Sequence, residues 1–259
     1  APRNPKQHTN KRTISKYYKG SIIVFKCGYL AGAINITNNP ERSVIPCCHV
    51  DHNHSLYNGK DLLNGNILTQ MRKDALDGKT PELCKPCISK EPLGIESPRL
   101  RSIREFENKG IVKEVLEPSD VEVLYLKFSN LCNFKCVMCD SSSSHLIAKE
   151  NGVEESLIEI NNFYETQLLD LLPNMTSLRH VQITGGEPLM APGVWKLFEW
   201  FRDNQERVKN RKDGKVMRYA INSNLVPKDD IMDRLIELSH YVPHLEVYTS
   251  AESLGKHSE

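Results

Sequence analysis

From Val121 onward, short apolar runs alternate with longer amphipathic ones. Residues 121–128, VEVLYLKF, are β-branched and aromatic, the composition of a strand on a pleated surface. Residues 178–184, 216–222 and 244–250 repeat that pattern. Helical spacing fills the intervals. Leu157, Ile160, Tyr164, Leu168 and Leu171 mark a helix over about 155–172, and Val194, Leu197, Phe198 and Phe201 mark one opened by Pro192. Ile231, Leu235 and Leu238 mark a third, started by Pro227 and Asp229-Asp230. Strands separated by helices of this length pair as parallel neighbours, and right-handed crossovers curl such a sheet towards a barrel. The expected class over 121–259 is therefore α/β, with four β–α steps.

Upstream the pattern is different. Residues 21–25 and 32–37 read as strands, 38–41 as a turn and 43–45 as a return strand that delivers Pro46-Cys47-Cys48-His49. A helix is expected over 61–76, with Leu62, Leu63, Ile67, Met71 and Leu76 on one side, ended by Gly78 and Pro81. Cys84-x2-Cys87 follows. Residues 21–90 thus read as a small β-hairpin and helix module carrying Cys27, Cys47, Cys48, Cys84 and Cys87. Pro92, Gly94 and Pro98 break regularity in 91–120, which is read as a linker holding the domain boundary and a charged helix over 99–109. Residues 1–20, with Lys6, Lys11, Arg12, Lys16 and Lys19 beside Tyr17 and Tyr18, read as a solvated basic tail.

Bulk properties narrow the class. A chain of 259 residues can bury a substantial core. Its net charge of +1 does not indicate a nucleic-acid or membrane partner, and no apolar run reaches the roughly 18 residues that span a bilayer. Residues 1–20 lack the apolar stretch of a signal peptide. Eight cysteines without a secretion signal point to metal ligation in a reducing compartment, so a cytoplasmic protein is expected.

Chemistry concentrates at the strand ends. Cys132-x3-Cys136-x2-Cys139 leaves the first strand of the α/β part, at the edge where such sheets bind ligands. Three thiolates on one loop hold three corners of an iron–sulfur cube and leave the fourth iron open, where ordinary ferredoxin sites supply four cysteines. Gly185-Gly186-Glu187-Pro188 leaves the second strand, Asn222-Ser223-Asn224 the third and Ser250-Ala251-Glu252 the fourth, all at one rim. The glycines allow close backbone approach, Pro188 fixes the exit, and Asn222, Ser223, Ser250 and Glu252 suit a ribose or an amino-acid moiety. Upstream, Cys27, one of Cys47 and Cys48, Cys84 and Cys87 suit a second iron–sulfur cluster. His49, His52 and His54 keep a Cys/His zinc site open as the alternative.

Together, the three-cysteine loop after a first strand and Gly-Gly-Glu-Pro after the second resemble the radical S-adenosylmethionine superfamily. The Pro46-Cys47-Cys48 and Cys84-x2-Cys87 elements resemble an auxiliary-cluster module of the SPASM/twitch type, here placed before the barrel. The resemblance covers residues 21–259. It implies a partial (β/α)6 TIM-like barrel, with Cys132, Cys136 and Cys139 ligating a [4Fe–4S] cluster whose open iron takes S-adenosylmethionine. Gly185, Gly186 and Glu187 would hold the amino end, Met138 would lie near the adenine, and Asn222, Ser223, Ser250 and Glu252 would meet ribose or carboxylate. Reductive cleavage would give a 5′-deoxyadenosyl radical that abstracts a substrate hydrogen, the substrate being a peptide, a protein or a small metabolite. The auxiliary [4Fe–4S] cluster would transfer electrons or anchor substrate, and a low-potential donor such as flavodoxin or ferredoxin would supply the first electron. Two departures stand out. The family barrel has six β–α steps against four here, which is read as truncation after residue 259, and one cysteine of the eight is left over. A non-catalytic iron–sulfur or zinc scaffold is the other class of function these residues allow.

Overall fold

The computed structural model describes residues 25–38, 44–50, 61–154, 156–159, 162–206, 217–226, 229–242 and 244–249. Six strands form one sheet in the order β2-β1-β3-β4-β5-β6. They are β1 (Ala33–Ile36), β2 (Val44–Ile45), β3 (Val123–Lys127), β4 (His180–Thr184), β5 (Arg218–Ser223) and β6 (Leu245–Thr249). β2 is antiparallel to β1, and every other pairing is parallel. The α-helices are α1 (Gly28–Gly32), α2 (Asn66–Leu76), α3 (Lys85–Ile88), α4 (Pro98–Glu105), α5 (His145–Glu150), α6 (Asn162–Leu171), α7 (Pro192–Asp203) and α8 (Asp229–Ser239). None of the described helices is long and apolar enough to cross a membrane.

Strand alternation builds the core. Ile34, Ile36, Leu124, Leu126, Val181, Ile183, Tyr219 and Ile221 share one sheet face. Leu168 of α6, Val194, Leu197, Phe198 and Phe201 of α7, and Leu235 and Leu238 of α8 cover it. Pro192 is preset for the first turn of α7. Phe201 then meets Tyr219 edge to face with ring centroids 4.7 Å apart. Burying each such side chain fully contributes about 1.5–3 kcal/mol.

The opposite face of these strands carries polar side chains beside the buried Ala33, Val123 and Ala220. Arg218 of β5 makes a two-pronged pair with Glu246 of β6, at 2.9 and 2.7 Å, and Gln182 donates to Asn222. His180 lies between Tyr125, 6.2 Å away ring to ring, and the side chain of Arg218. Its Nε2 is buried without a hydrogen-bond partner among the described residues. Burial first, then the guanidinium groups of Arg218 and Arg179, lower its pKa. A base depressed in the folded state takes up protons preferentially when unfolded, so its stabilisation is present above the unfolded value of about 6.5 and is lost as pH falls below it. The melting temperature should fall between pH 7 and pH 5, with a shallower slope for His180→Gln; an identical slope would sink this assignment.

The N-terminal region departs from expectation. Residues 21–24 lie outside the described residues, and Phe25 is not in a strand. Gly28–Gly32 is a short helix, whereas the return strand expected after the turn is present as β2, paired antiparallel with β1. β1 also lies beside β3, with Ala33 opposite Val123 and Ile36 opposite Leu126, so one sheet spans both sides of the expected boundary. Residues 91–120 are packed: Glu91, Ser97, Ser102 and Leu116 are buried, and Ser97 caps α4 by accepting from the Leu100 N–H. The helix expected over 61–76 begins at Asn66, because the Asp61 carboxylate accepts the Leu63 and Asn64 N–H groups and holds a separate turn.

Candidate functional site

The loop leaving β3 is sewn in place before its first cysteine. Asn130 is fully buried; its amide donates to the Ser141 and Ser156 carbonyls at 3.0 and 2.8 Å, and its Oδ1 accepts the Ile158 N–H at 2.8 Å. His145, first in α5, accepts the Cys132 N–H on Nδ1 at 3.1 Å, and Ser144 donates to the Phe134 carbonyl at 2.9 Å. Asn133 links the loop to the end of β5 through Asn224 and the Val226 carbonyl, at 2.7 Å each. Asn130, Asn133 and His145 were not singled out by sequence reasoning; their signal is only the polar stretch around the cysteines.

The three thiols lie within electrostatic reach of one another. Cys132 is buried, and Cys136 and Cys139 are half-buried. Burial raises the Cys132 thiol, with Glu187 and Cys136 adding; burial raises Cys139, with Cys136 and Cys132 adding. Groups that raise one another in this way are held as thiols, and a coordinated metal would deprotonate them outright. Phe134 donates its N–H to Cys132 Sγ at 3.4 Å, the kind of amide–sulfur bond that a thiolate-held cluster uses. Lys127, at the end of β3, donates to the Ser142 and Ser143 hydroxyls at 3.4 and 3.2 Å beside Cys139 and Asp140. Met138 and Val137 are exposed.

Gly185 and Gly186 are pressed against the root of that loop. Gly186 N–H donates to the Ser129 carbonyl at 2.9 Å, and Glu187 N–H donates to the Leu131 carbonyl at 2.7 Å. A Cβ on Gly186 would sit 2.3 Å from the Leu131 oxygen, and one on Gly185, at φ +149°, 2.8 Å from the Ser129 oxygen. Glu187 is buried; its carboxylate accepts from Ser223 Oγ and the Asn224 N–H at 2.8 Å each, and from the Leu189 N–H at 3.1 Å. Motifs from β3, β4 and β5 therefore meet in one hydrogen-bonded rim. Pro188 opens a 3-10 turn there, and Asn222 is exposed on the polar face. Ser250 and Glu252 lie outside the described residues.

The second cysteine group surrounds a cavity lined by Cys27, Cys47, Cys84, Cys87, Tyr29, His49 and Arg99. Cys48 points elsewhere and is exposed. His52 and His54 lie outside the described residues. Burial pushes the Cys47 thiol well up, with Cys27, Cys84 and Cys87 adding, and it pushes Cys84 up with Cys27 and Cys87 adding. Cys27, Cys47, Cys84 and Cys87 thus all line one cavity, while Cys48 does not. Arg99 also closes the cavity, held by Glu91 through Nε at 2.9 Å and by the Lys26 carbonyl at 2.8 Å.

Tyr29 of α1, on the lining of this cavity, lies beside Tyr125 of β3 with ring centroids 6.2 Å apart. No family model, curated protein or solved structure matches this chain.

Proposed function

We propose that this chain is a radical S-adenosylmethionine enzyme with an auxiliary [4Fe–4S] cluster, its α/β part forming four steps of a partial (β/α)6 barrel. The observation that carries the proposal is the rim at the C-terminal ends of β3, β4 and β5. There three thiols that perturb one another stand beside Glu187, which is tied to Ser223 and Asn224. A strand order of β3-β4-β5-β6 in sequence, all parallel, supports the barrel assignment.

In this function Cys132, Cys136 and Cys139 hold the cluster, and the His145 and Asn130 hydrogen bonds keep their loop rigid. Gly185 and Gly186 bring the β4 loop against it, so Glu187 and its neighbouring carbonyls border the position of the methionyl amino group. Met138, exposed beside the third cysteine, would lie near the adenine, and Asn222, Ser223, Ser250 and Glu252 would serve ribose and carboxylate. A cluster held there with S-adenosylmethionine would supply one-electron reductive chemistry that abstracts hydrogen from a peptide, protein or small-molecule substrate. A flavodoxin or ferredoxin supplies the electron.

The test is anaerobic reconstitution with iron and sulfide, then dithionite and S-adenosylmethionine. Formation of 5′-deoxyadenosine is expected. Its absence from a chain carrying both clusters and a complete barrel would leave the non-catalytic scaffold. About eight irons per chain are expected from two four-iron clusters; about four irons and one zinc would instead assign the upstream cysteines to zinc.

A further inference from the structure

We propose that Lys127 anchors the methionyl carboxylate of the sulfonium ligand at this rim, an inference that rests on the function proposed above. Lys127 is the last residue of β3 and alternates with Tyr125, so it lies on the polar face of the sheet. Its partner across the ladder is Thr184, directly before Gly185. A Cβ on Gly185 would stand 3.9 Å from Lys127 Cγ, so the stem of the lysine passes against the turn that opens the glycine motif. Its Nζ reaches the serines that follow Cys139. The side chain therefore runs between the β4 turn and the tail of the three-cysteine loop.

What the ammonium meets there is not a counter-ion. Its partners among the described residues are the Ser142 and Ser143 hydroxyls, at 3.4 and 3.2 Å, long beside the roughly 2.8 Å of an ammonium on a carboxylate. Two of its three N–H donors are used in this way, and the third has no partner among the described residues. Asp140 is within electrostatic reach, but its Oδ1 is taken by the N–H and hydroxyl of Ser142, at 2.9 and 2.7 Å. By contrast, Arg218 on the same sheet face is committed to Glu246, and Lys135 in the cysteine loop to Glu150. Lys127 is half-buried, and an ammonium withdrawn from water without an anion carries a cost that an arriving carboxylate offsets. None of Asn222, Ser223, Ser250 and Glu252 is cationic. A ligand with an amino-acid end thus finds a carboxylate in Glu187 and an ammonium in Lys127.

The experiment is a calorimetric binding cycle on the full chain, reconstituted anaerobically with iron and sulfide and without reductant. The two probes are S-adenosylmethionine and decarboxylated S-adenosylmethionine, which keeps the sulfonium, the amino group and the nucleoside. Any contact of the carboxylate other than the one to Lys127 is common to all the proteins and cancels in the cycle. Lys127→Gln keeps a donor for the serines and removes the charge. It should weaken S-adenosylmethionine about 10- to 100-fold, the worth of a charge-assisted hydrogen bond, and leave the affinity for the decarboxylated probe as it was. Lys127→Arg should recover most of the loss. Unchanged affinity of Lys127→Gln for S-adenosylmethionine, equal weakening of both probes, or iron falling together with affinity overturns the anchor and leaves the parent function standing. Equal affinity of the unaltered chain for the two probes overturns it without any variant. No binding of S-adenosylmethionine by the iron-loaded unaltered chain overturns both.

Discussion

Replacing Cys136 with alanine is expected to reduce 5′-deoxyadenosine formation to background while leaving the auxiliary cluster in place. The loop offers one site three thiols, and two cannot hold a cube with an open corner. Cys136 is half-buried, so the substitution leaves no large void, and the Asn130, Ser144 and His145 bonds that shape the loop do not involve its side chain. Iron should therefore fall from about eight to about four per chain, with the remaining four retained by the upstream cysteines. Cys84→Ala is the reciprocal control. If either substitution removes both sets of iron, the division of the cysteines into two groups is wrong.

Gly186→Ala should be the more damaging change to the fold. The new methyl would stand 2.3 Å from the Leu131 oxygen and 2.7 Å from the Asn130 and Leu131 carbonyl carbons, all backbone atoms. Backbone held by the Asn130 bonds cannot give way as a flexible side chain does. A loss of about 3 kcal/mol is expected, at the upper end of overpacking costs. The clash also pushes on the residue directly before Cys132. Denaturant unfolding should show the loss of stability, and iron loading at the three-cysteine loop should fall with it. A variant with unchanged midpoint and full iron would mean that the two loops do not lie as close as the hydrogen bonds of Gly186 and Glu187 require.

Much of the sheet was legible because alternation is local. Leu124 and Leu126, Val181 and Ile183, and Tyr219 and Ile221 announce a buried face within each strand, and Pro192 announces the start of α7. What was not legible depends on partners far along the chain. Nothing near Ile34 says that it will lie opposite Leu124, and nothing in Glu187 says that its carboxylate will bind Ser223 and Asn224. The helix at His145–Glu150 was missed because it is short and begins in a polar run, where an N–H to its histidine stabilises it rather than an apolar stripe. Of the adjacent pair Cys47 and Cys48, both are equally good ligands on paper; only the turn after β2 aims the first inward and leaves the second in solvent. The polar face of the sheet was unremarked for the opposite reason. Its Tyr125, His180, Gln182 and Arg218 are spaced like any solvent-facing residues, and only the register reveals them as neighbours.

The insertion of β1 beside β3 has a practical consequence for anyone dissecting the chain. A fragment starting at Val121 would strip the neighbour from β3, exposing a row of unpaired N–H and C=O groups on the strand that feeds the three-cysteine loop. Bare edges of that kind recruit other chains and precipitate. The excised upstream piece would fare no better, since Ile34, Ile36 and Val44 are buried against residues contributed from beyond Val121. The two cysteine regions are therefore one purchase in expression and purification: they should be obtained together, and a soluble half carrying only one of them would be refolded into something other than its native form.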